Sequence, residues 1–111
     1  MTKMSRDKGK RGEREAAAIL NDLFGCAARR SQQYCGEAGD ADLTTDLEGV
    51  HFEVRRVERF QLHAALKQAC EDATPDDIPV VLHKSNRNPW VVVLKLDDLP
   101  TLAERITEQT Q

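Results

Sequence analysis

No apolar run in this 111-residue chain approaches the roughly 20 residues that a membrane-spanning helix requires. No apolar signal region follows its first residues, MTKMSRDKGKRGE, so the expected setting is a cytoplasm. Cysteine is scarce and without pattern. Cys26, Cys35 and Cys70 are odd in number, unevenly spaced and free of any CxxC or Cys/His cluster, which argues against a disulfide framework or a zinc site. The three histidines, His51, His63 and His83, form no metal-ligand spacing either. There is no internal repeat and no low-complexity segment. What remains is one small domain, long enough for a single modest core and too short for two.

Charge is abundant, at 32% Asp, Glu, Lys and Arg, and unevenly spread. Residues 1–35 carry eight Lys/Arg against four Asp/Glu, whereas residues 36–60 carry seven acids against three arginines. A basic arm ahead of an acidic centre suits a protein that grips phosphates and also holds cations. Residues 1–11 are basic and lack apolar periodicity, so they are expected to form a flexible arm, with residues 12–111 as the single folded domain.

Apolar spacing then sets the elements. Ala16, Ile19, Leu20, Leu23 and Phe24 recur at helical intervals and Gly25 closes the helix. Residues 27–34 read as a first strand or an extended loop. Residues 41–45 read as a short strand, 46–49 as a turn and 50–57 as a stronger strand. Leu62, Ala65, Leu66 and Ala69 mark a second amphipathic helix, ended by Thr74-Pro75-Asp76-Asp77. IPVVLH (78–83) and WVVVLKL (90–96) read as neighbouring strands joined by a turn at 85–89, and Pro100 starts a last helix through Ile106. The order predicts an α/β fold, a central mixed β-sheet flanked by helices.

Strand 50–57 carries the chemistry. Its side chains alternate, so His51, Glu53 and Arg55 share one face and Phe52, Val54 and Arg56 the other. If the preceding strand pairs across the turn, Asp42 approaches Glu53. Two close carboxylates repel and raise a pKa unless a cation lies between them. Oxygen-only ligands of this kind suit Mg²⁺ or Mn²⁺, which keep waters and accept phosphate oxygens. Glu15, one turn before Ile19, is expected to join as a third acid, with Glu13 and Arg14 pointing elsewhere.

Asp42 and Glu53-Val54-Arg55, following a helix that carries GKRGEREAA (9–17), resemble the PD-(D/E)xK nuclease superfamily. More narrowly, the chain is similar to archaeal Holliday junction resolvases and small phage-encoded relatives. The similarity runs from about residue 9 to 99 and takes in RRSQQYCG (29–36), EVRRVERF (53–60) and IPVVLHKSNRNPW (78–90). It implies a restriction-endonuclease-like core and a metal-dependent endonuclease for branched or duplex DNA. It also implies a homodimer matched to the near two-fold four-way junction, in a bacterial or phage-infected cell, with no small-molecule cofactor. Asp42, Glu53 and the Val54 carbonyl would hold the metal, Glu15 would support it, and Arg55 would complete the catalytic set.

Three departures from that family are visible. Ala41 stands where a proline usually precedes the aspartate, and Cys35 is nearest the position of a serine. Arg55 replaces the motif lysine. A guanidinium supplies charge and a bidentate grip on phosphate, but it cannot deprotonate usefully, so a general-base role is excluded. A DNA-contacting surface is expected from Lys3, Arg6, Lys8, Lys10 and Arg11 on the arm. Arg29, Arg30, Gln32, Gln33 and Tyr34 near the site entrance, Arg56 and Arg59 beside it, and Lys84 and Arg87 on the later turn would extend it. Trp90 is expected in the core or a dimer interface.

Overall fold

The computed structural model describes residues 3–31 and 41–110. Its longest element is α1, Lys3–Phe24, 22 residues of helix. Residues 3–11, expected as a flexible arm, are helical. Lys, Arg and Met are strong helix formers, and each residue added to an existing helix gains a hydrogen bond without a new nucleation cost. Apolar spacing reports where a helix packs, and is blind to a turn that projects beyond the core. Gly25, at φ +63°, supplies the left-handed residue that ends α1.

Among the described residues, five strands follow in one sheet, ordered β1-β2-β3-β4-β5. β1 is Arg29–Arg30, β2 Leu43–Thr44, β3 Val50–Arg56, β4 Ile78–Lys84 and β5 Val91–Val93. β1, β2 and β3 run antiparallel in succession, β3 and β4 are parallel, and β5 returns antiparallel. The parallel pair is joined over one face by α2, Leu62–Asp72, the crossover that parallel neighbours require. The chain is thus α/β with a mixed sheet flanked by helices, as the element order predicts. The strand expected over 90–96 is shorter, because Leu96–Asp98 turns into a single 3₁₀ turn that leads into α3, Leu99–Gln109.

The two sheet faces are covered differently. Phe52, Val54, Val80 and Leu82 pack with Ala16, Ala17 and Leu20 of α1 and Leu102 of α3. Val81 packs on the other face with Ala65 and Ala69 of α2. β3 is therefore buried on both sides, and His51 and Glu53 are carried into the interior beneath α2. α1 approaches β3 closely at Gly12, where a Cβ would stand 2.7 Å from Arg56 Cβ. Only glycine permits that contact. Among the described residues, no helix is long and apolar enough to cross a membrane.

Candidate functional site

Asp42 is fixed by its backbone before its side chain is considered. Its N–H donates to the Phe52 carbonyl (3.0 Å) and its carbonyl accepts from Ser31 N–H (2.9 Å), placing it between β3 and the residue that follows β1. Leu43 pairs with Phe52, so Asp42 sits one step before the register and reaches across to β3. Its Oδ2 accepts the Val54 N–H at 2.8 Å.

Glu53 is on the central strand and only 3% exposed. Its Oε1 lies 2.7 Å from His51 Nε2, both side chains buried. Burial pushes the Glu53 carboxyl up to about 7. The hydrogen bond from His51 opposes that rise, and the negative charge of Asp42 adds to it. Such a carboxyl keeps its proton up to near neutral pH, and a cation beside it favours the charged form.

That cation is a side chain of the same strand. Arg55 Nη1 lies 3.0 Å from the Val54 carbonyl oxygen, 3.3 Å from Asp42 Oδ2 and 3.6 Å from Glu53 Oε2. The three oxygens expected to hold a metal converge on one point, and the guanidinium nitrogen stands there. The donor set is wholly oxygen, as Mg²⁺ or Mn²⁺ requires, and a cation already satisfies it, so these residues fit such an ion. Among the described residues, no group of three or more His, Cys, Asp or Glu side chains is arranged to hold a metal. The candidate ligands are two carboxylates and a backbone carbonyl.

Glu15, the expected third acid, is placed elsewhere. Glu15 is exposed and its Oε1 accepts the Trp90 indole N–H at 2.9 Å, away from the Asp42–Glu53 pair. Glu13 is the acid that α1 turns toward Asp42. Burial raises its carboxyl, Asp42's charge raises it further, and Arg30, with Nε 3.4 Å from Glu13 Oε2, opposes the rise. The signal was in the sequence: Glu13 stands three, four and seven residues before Ala16, Ala17 and Leu20, which form the buried stripe. Ile19, one turn after Glu15, is only half-buried.

The expected DNA-contacting residues divide. Lys10, Arg11, Arg29, Arg59 and Arg87 are exposed. Arg30 is half-buried against Glu13. Arg56 is engaged within the chain: it donates to Glu58 Oε2 (3.0 Å), the Lys84 carbonyl (3.3 Å) and Asn86 Oδ1 (2.6 Å), tying the β4–β5 turn to β3. Lys84 Nζ donates to the Ser85 carbonyl at 3.4 Å. Gln32, Gln33, Tyr34 and Cys35 lie outside the described residues, as do the side chains of Lys3, Arg6 and Lys8.

Arg55, which reaches both acids, also borders with Arg59 an open cleft of about 350 Å³, lined as well by Gln61 at the start of α2 and Gln68 within it. Phe60 closes one side, stacked on His83 with ring centres 3.9 Å apart. His83 Nε2 is 3.1 Å from the Val57 carbonyl oxygen, so this histidine supports the cleft wall and takes no part in the acid cluster. His63 is exposed on α2. Compared with protein-family models, curated proteins and solved structures, the chain finds no match.

Proposed function

We propose that the protein is a divalent-metal-dependent DNA endonuclease with a restriction-endonuclease-like core, acting on branched DNA as a Holliday junction resolvase. The observation that carries this reading is the convergence of Asp42 Oδ2, Glu53 Oε2 and the Val54 carbonyl on one cation position beside an arginine-lined cleft. Asp42, Glu53 and Val54 would hold Mg²⁺ or Mn²⁺, with Glu13 rather than Glu15 at the edge of the site. A bound metal supplies an activated water and neutralises charge growing on a phosphodiester.

The chain's own groups do the rest. Asp42 is held rigid by two backbone hydrogen bonds, and His51 fixes the orientation of Glu53 from beneath. Arg55 and Arg59, along the cleft wall, neutralise a phosphate and orient it for in-line attack that leaves a 5′-phosphate. The exposed cations Lys10, Arg11, Arg29 and Arg87 would hold flanking backbone without reading sequence. A four-way junction offers two scissile strands, so two copies of the chain would act together. The apolar surface with Leu23 69%, Val91 44% and Val92 59% exposed, between α1 and the edge strand β5, suits their contact.

A second reading follows from Arg55 itself. A guanidinium in the cation position favours a protein of the same fold that grips branched DNA without cutting it. Incubating the protein and its Arg55→Lys variant with a four-way junction, and separately with flap, fork and linear duplex, in Mg²⁺ or Mn²⁺ separates the readings. Metal-dependent cleavage concentrated on the junction is expected. Absence of product from both proteins on every substrate would overturn the enzymatic reading, while junction binding without product would establish the second.

A further inference from the structure

We propose that Arg55 is the resident counter-cation of the acid cluster, and that a divalent metal enters by displacing it into the neighbouring cleft. This rests on the metal-site reading above and goes beyond it, because it assigns Arg55 a different job from that of a motif lysine. A lysine ammonium at the end of a flexible stem works beside a metal. Here the arginine nitrogen occupies the point where the three oxygens meet, 3.0, 3.3 and 3.6 Å from them. Two cations cannot share that point, so their binding is mutually exclusive.

The surroundings supply what the exchange needs. Asp42 and Glu53 are held by other contacts: Asp42 Oδ2 by the Val54 N–H and Glu53 Oε1 by His51. Departure of the guanidinium therefore leaves the ligands in place. The Arg55 side chain is 29% exposed and lines the open cleft that Arg59 also borders. Rotation about its side-chain bonds carries the head from the acids into that cleft, with no strand rearrangement. In the cleft the freed guanidinium joins Arg59 in facing a phosphodiester. Metal entry and phosphate binding would then favour one another, because Arg55 leaves the acids on the first and gains a partner in the cleft on the second. A first ligand that removes the competing conformation raises the affinity of the second.

The test is Mn²⁺ binding, measured by calorimetry and by the paramagnetic resonance of free Mn²⁺, for the wild type, Arg55→Gln, and each of these with Asp42→Asn. Arg55→Gln is expected to bind Mn²⁺ about tenfold tighter or more, and Asp42→Asn to abolish binding in both backgrounds. Binding by both proteins with no gain in Arg55→Gln overturns the displacement and leaves the metal site standing. No binding by either protein at millimolar Mn²⁺ overturns the metal reading together with it. Should Arg55→Gln fail to fold, a measurement on the wild type decides: Mg²⁺ is expected to shift the Arg55 Nε–H resonance, and an unmoved signal during saturable Mg²⁺ binding overturns the proposal.

Discussion

The buried Glu53 carboxyl makes a quantitative demand on the metal-free protein. Its ordinary value is 4.5 and in the fold it is pushed up to about 7, chiefly by burial. Unfolded chains lose this proton near the lower value and folded chains hold it to the higher, so between the two the folded state binds more protons. Stability contributed by this group must then fall as pH rises from about 4.5 to about 7, and level off above. At about 1.36 kcal/mol per pKa unit, the full difference is about 3 kcal/mol. The side chain is only 4% exposed, so solvent screening removes little of it. Urea denaturation at pH 5.0 and pH 7.5, with EDTA present, reads the effect. Glu13 is raised in the same direction, so the informative quantity is the comparison with Glu53→Gln, which keeps an oxygen for His51 and has no proton to lose. The variant is expected to be the more stable protein at pH 7.5 and to lack most of the wild type's pH dependence. Equal changes in stability for the two proteins between the two pH values would refute the reasoning.

Two glycines of α1 are predicted to respond with opposite signs. Gly9→Ala adds a Cβ with nothing within 4 Å and is expected to stabilise by about 0.5–1 kcal/mol. Gly12→Ala meets Arg56 Cβ at 2.7 Å and is expected to destabilise by about 1–3 kcal/mol despite its better helix propensity; thermal melts of both check this. Glu13→Gln is expected to lower metal-dependent junction cleavage about tenfold or more, whereas Glu15→Gln, whose partner is Trp90, leaves it nearly unchanged; steady-state rates on a labelled junction distinguish them. Val92→Lys, placing a charge on the exposed apolar edge, is expected to shift a dimer to monomer in sedimentation velocity, and an unchanged mass would exclude that edge as the contact.

Strand alternation was legible because its period is a backbone property: reading residues 50–57 as a strand put His51, Glu53 and Arg55 on one face, and the register keeps them there. Residue spacing did not reveal that α2 covers this face. That burial turns Glu53 from a solvated acid into one with a strongly raised carboxyl, and it depends on Ala65 and Ala69 being small enough for close packing. Spacing counted from Ile19, which is only half-buried, points to Glu15. Close packing at Gly12 instead rotates α1 so that Ala16 and Ala17 face the sheet, bringing Glu13 with them. Arg55 illustrates the deeper limit. Its position in the strand told which face it would leave from, while the direction of its head was decided by the Asp42 and Glu53 carboxylates and the Val54 carbonyl. Asp42 enters that set from the residue just before β2, through a contact twelve residues distant to Val54 N–H. A motif read along the chain records which charges are present; whether a cation stands beside the acids or between them is settled only when the strands pair.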